Sequence, residues 1–529
     1  MLITLTAPAF AETWYIENGD ITVKASGTEG KNTVSQGNKK DVEDTNTIIK
    51  NREDTASSNT VTIDAGSDKV EVTLKDVNID TSSRNKAAVS VTGSGNTTIK
   101  LDGDNHLTGG NGIYSNSSGS LTISGGETDS LTAQGGDSRN GIYSVSGDVT
   151  ISGGTVNANG GDGKNGSDGG DGICSDSGDV TISGGTVTAT GGGSTGSNGL
   201  GGRGICSDSG GVTISGGTVK ATGGNGDYSG GDGISSSDRV AISGSTVTAN
   251  GGDSSSRNGA SGISSSSGVT VSDGTVTANG GNGGNVSGDG IRSGGGVTIS
   301  GNTVNASGGN GGKVGGYGIC SFDRVAISGG TVEAAGGDSK DGYGGDGIYS
   351  NDIDLSGSLE LTAKAGSPNG KALSQRGNEL DLNTIKDKLG PGAKVTVTDA
   401  NGKVNQVSIP RPVEPEEPSS SSDGGSAAPS APVSSLPGLT VTDKSGAVIS
   451  YTSTQSGNTL TVCVGRLTAS LHVSLAALRQ LRAEGIETIA FQTILCSTTL
   501  SVDELLAMGG EDAEAVLTHR FTDSSLTVG

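Results

Sequence analysis

The chain has 529 residues, including 97 Gly but only 4 Phe, 8 Tyr and 1 Trp, which excludes a compact core of large side chains. Any core has to be narrow and lined by Val, Ile and Ala, as in a solenoid. The formal net charge of −23 would repel the phosphates of nucleic acid and the surface of an anionic membrane, so neither is expected as a partner.

The first residues, 1–11, are predicted to be a signal-peptide remnant. Ala9 and Ala11 precede Glu12 in the small-x-small pattern of a signal-peptidase site. The basic n-region is missing, so we expect a longer leader that begins upstream. The protein is therefore predicted to be secreted or held at the cell surface. No later stretch reaches the roughly 18 apolar residues of a membrane span, so no membrane insertion is expected.

Residues 12–111 are predicted to form irregular N-terminal rungs and a cap. Four segments in this region alternate apolar and polar residues with the period of two that is typical of β-strands. These segments are 59–63, 70–74, 87–91 and 97–101. They lack the strict repeat that follows them, as expected for the terminal units of a repeat protein.

A Gly-Ile dipeptide organises residues 112–365. It recurs nine times at spacings of 28 to 32 residues, and its glycines are Gly112, Gly141, Gly172, Gly204, Gly233, Gly262, Gly290, Gly318 and Gly347. Between the dipeptides runs a consensus of Gly-Ile-x-Ser, Val-Thr-Ile-Ser-Gly-Gly and Thr-Val-x-Ala-x-Gly-Gly. A fixed period of this length indicates an array of structural repeats.

Each repeat is predicted to contain three short strands. The consensus segments alternate apolar and polar residues, no segment has a helical period, and Gly-Gly pairs with Asp, Asn and Ser occupy turn positions. Stacking of equivalent strands predicts an all-β fold, a right-handed parallel β-helix with three short strands per rung. The residues expected to point into the coil are Ile173, Val180, Ile182, Val187 and Ala189.

Residues 366–409 are predicted to be a C-terminal cap. Residues 380–389 look like a short helix that ends at a glycine. Residues 394–398 and 404–409 are separated by turn-forming residues and are expected to pair as a closing hairpin. Such a hairpin would cover the open end of the coil.

Residues 410–437 hold seven of the ten prolines and are predicted to be an extended linker. A small α+β module is expected in residues 438–529. Its predicted elements are a helix at 475–484 that follows Ser474, a strand at 488–493 and a second helix at 502–507.

Segments 72–80 and 96–107, together with the Ile-Ser-Gly-Gly-Thr-Val rungs, resemble a family of bacterial secreted carbohydrate-binding β-helix proteins of clostridia-like anaerobes. The resemblance covers residues 12–365, and the family's fold is similar to that of pectate lyases. What it implies is recognition of acidic polysaccharide at the cell surface, through calcium and without cleavage. The likeness rests on strand sequences and not on a site motif.

The sequence shows no catalytic constellation, so the protein is not predicted to be an enzyme. Its histidines, His106, His472 and His519, lie in different regions, and a histidine triad or zinc site lacks its parts. A lyase of this fold needs a basic residue beside clustered carboxylates. The arginines of the array occupy no single repeated position: Arg203, Arg239, Arg257, Arg292 and Arg324.

Two acidic columns repeat at turn positions. Asp171, Asp232, Asp289 and Asp346 precede Gly-Ile dipeptides and are the candidate calcium ligands, because carboxylates stacked a rung apart would repel one another without a cation. A second column follows Gly-Gly pairs and contains Asp137, Asp162, Asp253 and Asp338. The alternative is that these residues simply suit turns and keep the surface solvated.

Four tyrosines, Tyr114, Tyr143, Tyr317 and Tyr349, are the candidate sugar-binding residues. The favoured function is non-catalytic recognition of a polysaccharide or cell-surface glycan by a monomer. Two alternatives remain, namely a structural adhesin or spacer rod that displays the C-terminal module, and ice binding. The ice-binding hypothesis rests on outward Thr-x-Thr pairs: Thr186 with Thr188, Thr246 with Thr248, and Thr275 with Thr277.

The cysteines suggest two pairings. Cys174, Cys206 and Cys320 occupy the same position after Gly-Ile, and the first two belong to adjacent rungs. Neighbouring strands lie about 4.8 Å apart, which is within the range of a disulfide if both side chains point outward. Cys463 and Cys496 are the second candidate pair. Unpaired thiols are the alternative in both cases.

Overall fold

A computed structural model describes most of the chain. The described residues are 12–410 except 29 and 54, and 438–528 except 444–447, 450, 457, 465–467, 494–496, 509–513 and 520–523. The predicted leader and residues 411–437 of the predicted linker lie outside them. The chain divides into two compact units, residues 1–414 and 415–529. No helix of the described residues is long and apolar enough to cross a membrane.

The N-terminal unit is an all-β parallel β-helix of about 14 turns, which confirms the predicted architecture. A regular turn contains three strands, one on each of three faces. Strands of one face pair in parallel and in register with those of the adjacent turns. Ile142, Ile173 and Ile205 therefore lie in one column, and all nine Gly-Ile isoleucines belong to it.

Face 1 carries the Gly-Ile strands and forms a 16-stranded sheet. Its parallel strands are Ile21–Ala25, Val61–Asp64, Val89–Thr92, Ile113–Ser115, Ile142–Ser144, Ile173–Ser175, Ile205–Ser207, Ile234–Ser236, Ile263–Ser265, Ile291–Ser293, Ile319–Ser321, Ile348–Ser350 and Leu373–Gln375. Strands Asn32–Gln36 and Lys39–Asp44 extend the sheet in antiparallel fashion at its N-terminal end, and Asn378–Glu379 does so at the other end.

Faces 2 and 3 belong to one 24-stranded sheet. Face 2 contains Thr13–Tyr15, Ile48–Lys50, Val70–Lys75, Thr97–Asp102, Leu121–Ser124, Val149–Ile151, Val180–Ile182, Val212–Ile214, Gly296–Ser300, Arg324–Ile327 and Asp352–Leu355. Face 3 contains Asn78–Asp80, Asp104–Gly109, Ser130–Gly135, Thr155–Asn159, Thr186–Thr190, Thr218–Thr222, Thr303–Ser307, Gly330–Ala335, Leu359–Lys364, Lys394–Thr398 and Val404–Ser408. Two strands run through both faces, Arg239–Asn250 and Gly268–Asn279.

The interior of the coil is a stack of identical apolar layers. The five residues predicted to point inward, Ile173, Val180, Ile182, Val187 and Ala189, are each 0% exposed. Full burial of a Val or Ile side chain contributes roughly 1.5–3 kcal/mol, so the repeated layers compensate for the scarcity of aromatic residues.

The serine of Gly-Ile-x-Ser lies inside the corner between faces 1 and 2. Ser144, Ser175 and Ser207 are at most 1% exposed. The Ser175 hydroxyl donates to Gly147 O at 3.0 Å, and its oxygen accepts from Gly178 N–H at 3.0 Å. A buried hydroxyl at this position thus satisfies backbone groups of its own corner and of the preceding corner.

The two ends of the coil differ in part from the sequence expectation. Before residue 112 the strands of all three faces keep the register of complete turns, although the sequence repeat is irregular. Beyond residue 365, Leu373–Gln375 and Lys394–Thr398 continue faces 1 and 3 in parallel. Parallel pairing needs only inward apolar residues and a ladder of backbone hydrogen bonds. It therefore continues in turns whose sequence does not match the repeat consensus.

The predicted cap helix is a 3-10 helix, Leu382–Lys388, which buries Leu382 and Ile385. The predicted hairpin is confirmed, because Lys394–Thr398 pairs antiparallel with Val404–Ser408. Two further 3-10 helices, Ile16–Asn18 and Ser82–Arg84, lie near the N-terminal end.

The C-terminal unit is a small α+β module. One antiparallel sheet contains Leu439–Thr442, Ala469–Ser474, Glu514–His519 and Ser524–Val528, and a second, mixed sheet contains Thr452–Ser456, Thr459–Cys463, Thr488–Gln492 and Ser497–Ser501. The helices are Leu475–Ala483 and Val502–Met508, close to the predicted ranges. Ser474 caps the first helix by accepting from Ala477 N–H at 3.2 Å.

Candidate functional site

Loop arms project from the coil between face 3 and the next strand of face 1. We use this name for residues 161–170, 192–202, 224–231, 252–260, 281–288, 309–316 and 337–345. Successive arms stack through isolated parallel bridges, such as Leu200 to Ser229, Ser229 to Asn258, and Asn258 to Val286. The stacked arms form a wall that runs alongside face 1.

A glycine layer anchors the arms to the coil. Gly170 N–H donates to Gly161 O, Gly192 N–H to Gly170 O, Gly202 N–H to Gly192 O, and Gly224 N–H to Gly202 O, each at 2.7–2.8 Å. The chain of hydrogen bonds continues through the later arms in the same way. A Cβ atom at Gly192 would lie 2.1 Å from Gly161 O, so the close backbone approach requires glycine there.

A groove of about 810 Å³ lies between the arms and face 1. The arms supply one wall through residues 200–202, 229–231, 258–260 and 286–288. Its floor is the column of residues that immediately precede the Gly-Ile dipeptides, here called the floor column. In the groove this column contributes Asp171, Arg203, Asp232, Ser261 and Asp289, and Arg292 reaches in from face 1. Five rungs at about 4.8 Å make the floor roughly 19 Å long.

The aspartates of the floor column lie two rungs apart, not one as the sequence argument assumed. Arg203, Ser261 and Tyr317 occupy the intervening rungs, so the carboxylates are separated by roughly 10 Å. Each aspartate accepts a hydrogen bond from the next floor residue's backbone N–H, at 2.7–2.8 Å: Asp171 from Arg203, Asp232 from Ser261, Asp289 from Tyr317, and Asp346 from Lys371.

Arg203 is held by carboxylates on both sides. Its guanidinium donates to Asp171 at 3.2 Å and also pairs with Asp208. Although burial disfavours the charge, the hydrogen bond to Asp208 and the charge of Asp171 raise the pKa of Arg203 above its ordinary value. Arg203 is therefore fixed and neutralised at one end of the groove.

Asp289 and Arg292 form a second fixed pair. Arg292 Nη1 lies 3.0 Å from Asp289 Oδ2, and the Asp289 side chain is almost fully buried. Burial raises the pKa of Asp289, while the Tyr317 N–H and Arg292 act in the opposite direction. The guanidinium of Arg292 also lies 5.1 Å from the centre of the Phe322 ring.

Asp232 has a different environment, at the centre of the floor. No arginine or lysine of the described residues forms an ion pair with it. Burial raises the pKa of Asp232 to about 6, in spite of hydrogen bonds from the Ser261 N–H and the Ser235 side chain and the charges of Arg203 and Arg292, which lower it. A carboxylate with this pKa is poised to gain or lose a proton close to neutral pH.

The candidate tyrosines form two pairs, one on each side of the groove along the coil. The ring centres of Tyr114 and Tyr143 lie 5.9 Å apart, and those of Tyr317 and Tyr349 lie 5.3 Å apart in a stacked arrangement. Tyr317 is the floor residue that follows Asp289, so the second pair borders the groove. The Tyr143 hydroxyl donates to Asp176. The sugar-binding role of all four tyrosines stays a prediction.

Cys174 and Cys206 form a disulfide between adjacent turns of face 1, with a Cα–Cα distance of 4.6 Å. Both are at most 1% exposed, because surrounding side chains such as Arg203 cover them. Cys320 lies in the same column as an unpaired, buried thiol, and its burial raises its pKa to about 12. Cys496 lies outside the described residues, so its pairing with Cys463 stays a prediction.

The second acidic column serves the backbone in the same way as the floor column. Asp162 accepts from Gly193 N–H at 2.7 Å, Asp253 from Asn282 N–H at 2.6 Å, and Asp338 from Ser367 N–H at 2.8 Å. These contacts agree with the alternative that acidic residues suit the turns. They engage one carboxylate oxygen of each residue.

The floor aspartates offer few oxygen ligands to a single calcium ion. Calcium takes six to eight oxygen ligands at 2.3–2.6 Å, but the floor column supplies one carboxylate every second rung. Two groups of side chains in the described residues lie close enough to share an ion: Asp171, Cys174 and Cys206, and Cys174, Asp176 and Asp208. Both depend on a cysteine that is in the disulfide, and neither is the predicted set of four aspartates.

The histidines occupy three unrelated places. His106 lies on face 3, and His519 is fully buried in the C-terminal unit, where burial lowers its pKa. His472 lies between a hydroxyl and a carboxylate, with Nε2 3.1 Å from Thr442 Oγ1 and Nδ1 3.4 Å from Glu514 Oε2. The sequence argument missed this alignment because the three residues come from separate strands. The groove described above does not include them.

Face 3 carries a column of outward threonines on seven successive turns. It consists of Thr155, Thr186, Thr218, Thr246, Thr275, Thr303 and Thr331. In the neighbouring outward column Lys220 and Glu333 interrupt the hydroxyl groups. The threonine pairs named for ice binding thus lie on one face, but among charged residues.

The family model described as the beta helix repeat matches five segments of the chain, 149–171, 180–202, 212–238, 240–267 and 325–348. This is a β-helix repeat protein. Each matched segment begins on a face-2 strand and continues through face 3 into a loop arm, so the repeat unit includes the arm that walls the groove. No curated protein and no solved structure matched the chain.

Proposed function

We propose that this β-helix repeat protein is a non-catalytic glycan-binding protein and that the groove on face 1 holds a segment of polysaccharide. The observation that carries the proposal is the groove itself, because it is long, bounded on one side by the loop arms and lined by both polar and apolar groups. Concave sites with a few convergent polar groups are the usual form of ligand sites in proteins.

The chemistry of the lining suits sugar hydroxyl groups, which both donate and accept hydrogen bonds. Asp232 supplies a carboxylate acceptor, Arg292 supplies N–H donors, and Ser261 and Ser264 supply hydroxyls. Charge-assisted hydrogen bonds of the first two kinds are stronger than neutral ones. The stacked Tyr317 and Tyr349 rings at the end of the groove offer an apolar surface for a sugar ring.

The lining also bears on the class of glycan. Four carboxylates and two guanidinium groups line the groove, which gives it a formal net charge of −2. An acidic polysaccharide, as the family resemblance implies, would be repelled by this charge unless a cation such as calcium bridged the two. A neutral or basic glycan needs no such cation. Binding experiments therefore have to be carried out both with and without calcium.

Secretion and a monomeric state complete the proposal. The Cys174–Cys206 disulfide supports an extracytoplasmic location, because structural disulfides persist in oxidising compartments. The antiparallel strands at the ends of the coil, among them Lys39–Asp44 and Val404–Ser408, support a monomer because they cover edges that would otherwise pair with another chain. Fractionation of the producing cells and light scattering of the purified protein test these two points.

A glycan array with and without calcium tests binding, and a matched pair of variants tests the site. Ser264 lines the groove in a column that carries tyrosine elsewhere, so Ser264→Tyr should fold and block the groove. Ser90→Tyr places the same residue in the same column away from the groove. We expect Ser264→Tyr to weaken binding at least about 10-fold and Ser90→Tyr to leave it unchanged, a difference of about 1.4 kcal/mol.

Three outcomes would contradict parts of the proposal. Equal binding by both variants would place the glycan elsewhere on the protein. Release of shorter or unsaturated sugars from a bound polysaccharide would make the protein an enzyme. Absence of binding to every glycan would favour the spacer function, for which the continuous glycine layer provides a rigid scaffold.

A further inference from the structure

The position of charges along the groove distinguishes one residue from all the others. At one end Arg203 is bound by Asp171 and Asp208, and at the other end Arg292 is bound by Asp289. Both guanidinium groups are thus already neutralised by the protein. Asp232, which lies between them on the floor, is the one floor carboxylate of the groove without an ion pair in the described residues.

Asp232 differs from the other floor aspartates although its backbone role is the same. Asp171, Asp232 and Asp289 each accept the N–H of the next floor residue, so the turn is served in all three cases. Asp171 and Asp289 in addition have an arginine partner. A partly buried carboxylate without such a partner costs free energy in the unliganded protein, and a cationic ligand would reduce that cost.

The electrostatic potential around the groove also favours a cationic ligand. The groove carries a formal net charge of −2 and the chain a charge of −23, so cations are attracted to the site and anions are repelled from it. The fourth carboxylate of the lining, Asp168, belongs to a loop arm and adds to this negative charge.

We infer that the groove recognises an amino sugar with a free amine, whose ammonium group pairs with the carboxylate of Asp232. This inference rests on the proposed function, because it names the glycan class for the same groove. The Ser261 N–H holds Asp232 Oδ1 in place at 2.7 Å, so the carboxylate is oriented before the ligand arrives. Arg203 and Arg292 act on Asp232 through their charge, but each forms its ion pair with another aspartate.

Titration calorimetry with four tetrasaccharides of equal length tests the inference: those of glucosamine, N-acetylglucosamine, glucose and galacturonate. We expect the glucosamine tetramer to bind at least about 10-fold more tightly than the neutral tetramers at pH 7.5 and low salt. Asp232→Asn should remove this preference, so that the glucosamine tetramer and the neutral tetramers bind equally. Asp346→Asn is the matched control, because Asp346 has the same backbone contact outside the groove.

Each other outcome has a defined meaning. Equal binding of amine and neutral tetramers would overturn the inference and leave the proposed function standing. Tighter binding of the galacturonate tetramer would also overturn the inference. Binding of tetralysine as tight as that of the glucosamine tetramer would show a cation site without sugar selectivity and overturn it as well. Failure of all four sugars to bind would overturn both the inference and the proposed function.

Discussion

The interior columns and the floor column belong to the same repeat, but they differ in how much the residue type changes from turn to turn. On the inside, successive turns place Ile, Val, Leu or Ala at equivalent positions, and these residues are almost completely buried. On the floor of the groove, Asp, Arg, Ser and Tyr alternate from turn to turn. A dry, close-packed interior accepts only apolar side chains, whereas a floor residue is free to vary in polarity and charge once the backbone N–H of the next turn is satisfied.

The largest expected effect comes from placing a charge in an interior column. Ile182→Asp would put a carboxylate into an apolar layer without a partner and should lower the free energy of unfolding by several kcal/mol. Thr181→Asp is the matched control, because Thr181 is on the same strand and is only partly buried. Thermal and denaturant unfolding would measure both, and a wild-type midpoint for Ile182→Asp would show that Ile182 does not point inward.

The glycine layer should be nearly as sensitive as the interior. A Cβ at Gly224 would lie 1.9 Å from Gly192 O, whereas a Cβ at Gly193 would meet no heavy atom closer than 3.5 Å. Gly224→Ala is therefore expected to destabilise the protein by about 3 kcal/mol or more, and Gly193→Ala by less than about 0.5 kcal/mol. Similar urea midpoints for the two variants would contradict the close approach of the arms.

Replacing Asp232 should stabilise the protein, in contrast to the two changes above, because its ionised carboxylate raises the free energy of the folded state. Its pKa is about 6 in the folded protein and 3.8 ordinarily, so the folded state binds the proton more tightly than the unfolded state. The cost is absent below pH 4 and complete above pH 6. At pH 7.5 Asp232→Asn should raise the free energy of unfolding by on the order of 1–3 kcal/mol.

The pH dependence separates this effect from general changes in charge. Arg203 and Arg292, the charged groups that face Asp232, are present in both proteins and stay protonated. The difference in stability between Asp232→Asn and the wild type should therefore vanish at pH 4. A constant difference between pH 4 and pH 7.5 would mean that the carboxylate of Asp232 does not titrate near pH 6.

The smallest effect is expected on the outward side of face 3. Thr248 pairs with Lys220 of the preceding turn and with Thr277 of the next, so a lysine is already accepted in this column. Thr248→Lys should change the free energy of unfolding by no more than about 0.5 kcal/mol. A larger loss would show that the outward column of Lys220, Thr248 and Thr277 has a structural role.

Local patterns in the sequence were enough for most of the fold. The period, the alternation within each strand and the inward set from Ile173 to Ala189 were predicted and are confirmed. The Cys174–Cys206 bridge followed from two cysteines in equivalent positions of adjacent turns. The extent of the coil was underestimated, since turns near the ends keep the register without the consensus that the argument relied on.

The candidate site needed the tertiary structure. The sequence identified Asp171, Asp232 and Asp289 as one column, but not the arm wall opposite them or the convergence of Arg203 and Arg292 from different columns. Glycine-rich segments give no sign of their direction, since a wide range of backbone angles is open to them until neighbouring turns hold them.

The amino-acid sequence by itself determined the repeat, because its period and alternation are properties of one turn and its copies. It also determined which residues enter the dry interior, since only small and medium apolar side chains fit a narrow coil. The tertiary structure alone decided which carboxylates have a cation beside them. Asp232 and Asp289 have the same position in the repeat, and only the stacked turns show that one has an arginine partner and the other does not.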